Sequence, residues 1–238
     1  MSFGQFYDTD ISFIKSASRN MEGRTAGLQT PERFVDWLAV GEADLRKAER
    51  TRLGLMRAAT KHLEDHGLET LTVSAVCKVA GVAHGTFYLH FKDRHDLVDV
   101  LLQGFVEFVQ VRMRGEARQV EDPVRQTTET YFHLFKAHAG LMKCLVIGVD
   151  SFPEARRAFQ KLNAEWARTV VRALGRNGAL AGLDPDEQMR RAYALGGMVD
   201  QYLTALFVTR DPWLTEVSRD TEAVILTLTT LWRRGMQE

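Results

Sequence analysis

The sequence has no excess of charge of either sign. Lys+Arg and Asp+Glu each number 31 in 238 residues, so the net charge is zero. That argues against a generally sticky nucleic-acid binder, which needs surplus cations, but leaves room for a reader with a few cations on one face. Cysteine is scarce: Cys77 and Cys144 have no metal-ligand spacing, and Cys77, among small apolar neighbours, reads as a core residue. No apolar run spans a membrane, because the stretch 192–208 is interrupted by Asp200 and Gln201. The N-terminus has charges and glycines where a cleavable signal would have an apolar segment, so the expected location is cytoplasmic. No stretch alternates polar and apolar residues, which leaves an all-α fold. Gly-x-Ser-x-Gly, a phosphate loop and a dinucleotide fingerprint are all missing, and no enzyme activity or cofactor is expected.

Residues 71–97, LTVSAVCKVAGVAHGTFYLHFKDRHDL, organise the rest. Thr72 is a short hydroxyl residue just ahead of an apolar-periodic run and predicts an N-cap. Val73, Val76, Val79 and Ala80 follow at steps that share one helical face. Gly81 can take the positive φ that ends a helix sharply, and Val82 can plug the turn. A second helix is expected over 84–90, about two turns, with Phe87 and Phe91 together on its buried side. Asp93 and Asp96 have nearly the spacing of a capping box for a third, longer helix.

Two short helices with a glycine in the turn make a helix-turn-helix, whose second helix enters the DNA major groove. The stretch closely resembles the DNA-binding domain of the TetR family of one-component bacterial regulators. Thr72, Val76, Ala80-Gly81-Val82, Gly85-Thr86-Phe87-Tyr88, His90-Phe91-Lys92 and Asp96-Leu97 carry the likeness, which extends upstream over a helix from about Arg50 to the His66-Gly67-Leu68 break. His84, Gly85 and Thr86 stand where direct base readout begins. In the family the Tyr and His of Tyr-x-His-Phe and a basic residue at the next helix start hold phosphates; here these are Tyr88, His90 and Arg94, with Lys92 nearby. Thr72 and Ser74 are placed to do likewise. For Tyr88 and His90, packing against the neighbouring helix is the other reading. Ala83 departs from the usual Ser or Thr cap.

The flanks complete a three-part plan: an extension with a short helix over 1–45, a helix-turn-helix domain over 46–96, and a helical effector-binding and dimerisation domain over 97–238. Residues 1–29 show no sustained period. Thr30-Pro31 reads as cap and N1 proline of a helix 31–40, with Phe34, Trp37 and Leu38 on its apolar edge. Packing on its own or a partner subunit is expected of this helix, with a DNA arm as the other reading. Arg46, Lys47, Arg50 and Arg52 form either a phosphate-contacting arm or a solvated face paired with Glu42, Asp44 and Glu49.

After the motif, Leu97, Leu101, Phe105, Phe108 and Arg112 keep the helical period. Asp122-Pro123 opens a helix that Gly140 is expected to break. Ser151 to Glu154 has capping-box spacing, ahead of the stripe Phe159, Leu162, Trp166, Val170, Leu174, which Asn177-Gly178 ends. Asp184-Pro185 and Asp220 open two further helices, separated by a break at Asp211-Pro212. Val224, Ile225, Leu228, Leu231 and Trp232 share the last one's face. The resemblance implies that the two C-terminal helices form a homodimer interface; Gly196-Gly197 would let a helix approach closely, although ordinary core explains them nearly as well.

Phe105, Phe108, Tyr131, Phe135, Met142, Trp166 and Met198, with His138, Asp200 or Gln201 as polar groups, are candidates for a pocket holding a small, largely apolar effector. Solid core is the plainer reading of each alone. His62 and His66, four apart, can share a metal, but no third ligand is near. The expected function is a homodimeric repressor released from a palindromic double-stranded DNA operator by that effector. A DNA-anchored helical scaffold for a protein partner and a metal-dependent helical enzyme are the alternatives.

Overall fold

The computed structural model describes residues 31–116, 120–148, 150–176 and 182–237, and the described residues that are regular are helical. Residues 1–29, the cap at Thr30 and the stop at Asn177-Gly178 lie outside them. In chain order the helices are α1 (Phe34–Leu38), α2 (Lys47–Asp65), α3 (Val73–Ala80), α4 (His84–Phe87), α5 (Arg94–Glu116), α6 (Pro123–Ala137), α7 (Ala139–Val146), α8 (Pro153–Arg176), α9 (Pro185–Phe207), α10 (Pro212–Val217) and α11 (Thr221–Gly235), with single 3-10 turns at Glu42–Asp44 and Leu68–Thr70.

Helix starts follow their local chemistry. The carboxylates of Asp122, Asp184 and Asp211 accept from backbone N–H groups three residues on, at 3.1, 3.2 and 2.8 Å, each with proline at the first helical position. Proline lacks an N–H that would be unpaired there in any case, and its fixed φ suits the helix. Asp220 accepts from Glu222 and Ala223 at 2.9 and 3.2 Å. The break expected at Asp211-Pro212 is thus also a start, of the short α10, which the apolar period is too brief to announce.

Helix α5 is the spine. Leu97, Val98, Leu101, Leu102, Phe105, Val106, Phe108 and Val109 are buried around much of its circumference, as in a helix enclosed by others. Its buried polar residues Asp99 and Gln103 receive Arg157 and Lys161 of α8 at 3.1 and 3.2 Å. Both pairs are offset by 58 residues, so α5 and α8 run parallel in fixed register. Glu154, at the start of α8, turns its carboxylate to His95 and Arg157, 3.6 and 3.8 Å away.

Several expectations need correction. Helix α1 starts at Phe34, not at residue 31, because Arg33 is extended. Gly140 lies inside α7 instead of breaking α6. A Cβ there would sit 2.4 Å from the Leu63 carbonyl oxygen and 2.5 Å from Glu64 Cα, so the missing side chain lets α7 cross α2 in backbone contact. Val79 and Leu231 fall on exposed faces, since each sits at the rim of its apolar stripe.

Helix α1 packs on α2 and α5, bringing Phe34 and Trp37 onto Phe105 and Phe108 with ring centroids 5.3–5.8 Å apart. A fully buried side chain of this size contributes about 1.5–3 kcal/mol by leaving water. This part of the extension is core.

Candidate nucleic-acid interface

The motif is set from its ends inward. Thr72 Oγ1 accepts from the Ala75 N–H at 3.1 Å, and Gly81, at φ 67°, closes α3 in the left-handed conformation that glycine takes without a Cβ clash. Val76 and Cys77 point into the core. Ala83 caps α4 with its backbone alone. Helix α4 is one turn, His84–Phe87, shorter than expected; it continues as turns through Leu89 N–H to Thr86 and His90 N–H to Phe87.

Phe87 and Phe91 are fully buried, 5.6 Å apart, and form the platform under α4. The other side is solvent-facing: His84 and Gly85 are exposed, Tyr88 is 54% exposed and Leu89 81%. The His84 and Tyr88 rings meet edge-on at 5.5 Å. Thr72, Ser74 and Lys92 are exposed on the flanks, while Thr86 and His90 are half-buried. Burial chiefly, with the nearby Arg52 charge, lowers the pKa of His90 and favours its neutral form. At the start of α5, Asp93 Oδ1 accepts from Asp96 N–H, and the Asp96 carboxylate from Lys92 N–H, both at 2.9 Å.

Two basic groups are tied into the fold. Arg94 is half-buried: Nη1 donates to the Leu71 carbonyl at 3.2 Å and the guanidinium lies 5.6 Å over the Phe152 ring. It braces the motif against the body. Around the start of α2, Arg46 N–H donates to Glu49 at 2.8 Å and Arg50 to the Leu45 carbonyl, while Glu42 pairs with Arg57. These contacts fit the solvated-face reading.

His62 Nε2 is 3.1 Å from Thr70 Oγ1, so the ring is occupied by the loop after α2, and no cluster of three metal-type ligands occurs among the described residues.

The pocket candidates lie in several different surroundings. Phe105, Phe108 and His138 are closed off by Phe34 and Trp37. The Phe34 N–H donates to His138 Nε2 at 3.0 Å, and His138 Nδ1 donates to the Leu134 carbonyl at 3.0 Å, so this neutral ring has both nitrogens satisfied. Burial, the main cause, lowers its pKa. Tyr131 donates to Asp200 at 2.6 Å, a buried pair beside Phe135. Burial pushes Asp200 up to about 6, against the Tyr131 hydrogen bond, which favours the carboxylate. Met142 is fully buried, and Trp166 and Met198 are partly buried against the core.

A half-open groove of about 470 Å³ sits where α6, α9, α10 and α11 come together, floored by Phe132, Leu206 and Phe207 and edged by Lys136, Arg210 and Arg219. Sequence reading missed it because its residues come from segments far apart in the chain, and no local spacing links them.

Residues 55–101, from mid-α2 into α5, match the family model described as bacterial regulatory proteins, tetR family. These residues form a TetR-type DNA-binding module. Among curated relatives, the transcriptional repressor KstR2 of Mycobacterium tuberculosis is 27% identical over 97 residues, 41% of this chain and 46% of that one. The transcriptional regulator SAR2658 of Staphylococcus aureus is 26% identical over 121 residues, 48% and 63% respectively. The chain thus spans about half the length of these relatives. Among solved structures, Salmonella enterica GusR superposes with a TM-score of 0.65 at 19% identity, over 81% of this chain and 98% of that one. The regulator FadR of Bacillus subtilis, solved with stearoyl-CoA, gives 0.60 at 21% over 77% and 98%. At these identities the fold is what this chain shares with them.

Proposed function

We propose that this chain is a homodimeric transcriptional repressor that reads a palindromic operator and leaves it when a small-molecule effector binds the body. One observation carries the reading: α4 buries Phe87 and Phe91 and leaves His84, Gly85, Tyr88 and Leu89 facing solvent, a surface the fold itself does not use. In a helix-turn-helix that face meets base edges at its N-terminal end and phosphates at its rim. His84, Gly85 and Thr86 are the base-reading positions; Thr72, Ser74, Tyr88, His90 and Lys92 are the phosphate positions, with Arg94 left to hold the motif in place. The DNA-binding part corresponds to residues 46–96, and the body from 97 onward carries the effector and the partner subunit.

The dimer reading is supported by α9 and α11. Tyr193, Leu226 and Leu231 are exposed apolar residues on them, and a Cβ at Gly196 or Gly197 would meet open space. The monomer does not need those glycines; a helix of a second copy approaching closely would. Two-fold symmetry then sets the half-site centres about one turn apart, ~34–36 Å. Release follows if the effector prefers a conformation with the recognition helices wrongly spaced. The B. subtilis relative solved with stearoyl-CoA supports a ligand-holding body.

Hydroxyl-radical footprinting on a duplex selected by the protein tests this. Two protected patches on one face, one helical turn apart, are expected. A single patch, or uniform weak protection, would contradict the dimeric reader.

A further inference from the structure

We propose that the groove between α6, α9, α10 and α11 is a binding site for a small amphiphilic anion, one carboxylate or phosphate group on an apolar body. It rests on the regulator reading only in calling that molecule an effector. The lining carries three cations, Lys136, Arg210 and Arg219, and no acid. In a chain with equal numbers of acidic and basic residues, that is a local imbalance. Arg219 is paired with Glu216, but the side chains of Lys136 and Arg210 make no ion pair or hydrogen bond among the described residues. The floor is apolar: Phe132 and Leu206 are buried, and the Phe132 and Phe207 rings meet edge-on at 5.2 Å. A charged head at the cations and an apolar body on this floor satisfy both halves.

An independent observation lies in the backbone. Arg210 has φ 53°, the one non-glycine residue among those described with a positive φ. It follows the end of α9, where the Thr209 N–H donates to the Thr204 carbonyl and the Asp211 N–H to the Ala205 carbonyl at 3.0 and 2.9 Å. Helices often end on a left-handed residue, and glycine is the one that takes the conformation without strain. A large cation held in that strained position, at the edge of a groove already lined by cations, has a use outside the fold. The groove volume of about 470 Å³ is within the range of small-molecule sites. The opposite choice, a deeply enclosed apolar effector at Phe105, Phe108 and His138, is closed off by α1.

The test is calorimetric titration of the full chain, without DNA, with decanoate, decyl phosphate and decanol. Binding of either anion at least about tenfold tighter than decanol is expected, the difference a charge-assisted contact supplies. Arg210→Gly should weaken that anion about tenfold or more while leaving the melting temperature unchanged or higher, because glycine relieves the backbone. Lys136→Gln should weaken it without altering the far-UV spectrum. Equal binding of decanol and the anions, no binding of either anion, or full affinity in Arg210→Gly would overturn the proposal. None of these outcomes depends on DNA, so failure of the regulator reading would leave them standing.

Discussion

Replacing Trp37 by alanine probes whether α1 is part of the body or a loosely attached extension. Trp37 is buried beside Phe34 and Phe108, at 5.8 Å from each ring. Truncating a buried tryptophan to alanine costs about 3–5 kcal/mol in transfer and cavity terms. Its indole N–H, however, is buried without a hydrogen-bond partner. An unpaired buried donor costs about 1–3 kcal/mol, and the truncation relieves that cost. The net loss is therefore about 2 kcal/mol, and Trp37→Phe, which keeps a ring and removes the orphan donor, should be near neutral. In urea denaturation Trp37→Ala should lower the midpoint by roughly 1 M with an unchanged slope. A loss under ~0.5 kcal/mol, or Trp37→Phe as costly as Trp37→Ala, would refute the docking of α1 and the packing argument with it.

Asp200 has its pKa raised from 3.8 to about 6, chiefly by burial, so the folded chain holds that proton more tightly than the unfolded one. The stability it contributes is present below about pH 4 and is lost as pH rises through 6, by at most roughly 3 kcal/mol. Denaturation at pH 4.5, 6 and 7 should show Asp200→Asn flattening that part of the profile, while the slope from Glu64, raised to about 7 by burial, remains; identical profiles would sink the assignment. Gly140→Ala, which drives a Cβ into the α2 backbone, should lower the melting temperature by an amount equivalent to about 1–3 kcal/mol despite alanine's better helix propensity. Gly197→Ala meets open space in one subunit and should instead weaken subunit association, read by light scattering at falling concentration; unchanged association would remove the glycine pair from the interface.

Much of this molecule was legible in the sequence because its signals are local. Thr72, Asp122, Asp184 and Asp220 cap the helices they precede, and Gly81 takes the positive φ that α3 needs to stop. The platform of Phe87 and Phe91 could be read from their spacing of four. Tertiary relations were less accessible. Gly140 looks like a helix breaker when read alone; only the approach of α2 reveals it as a crossing point. Aromatic residues of the body read equally well as pocket or core, and what packs on Phe105 and Phe108 is Phe34 and Trp37, about 70 residues earlier in the chain. The contacts of Arg94 were not legible for a similar reason, since Phe152 and the Leu71 carbonyl are brought to it by the fold. The groove cations come from α6 and from either side of α10, and their convergence has no sequence signature.

The most direct test of the central claim is selection from a random duplex pool by the purified protein at moderate salt, with Tyr88→Phe and His84→Ala alongside. Enrichment of a palindromic site is predicted, with Tyr88→Phe weakening all sequences evenly and His84→Ala relaxing preference at one position in each half-site, each contact being worth about 1–3 kcal/mol. No enriched sequence, or an identical site and affinity in both variants, would mean that the exposed face of α4 does not read DNA.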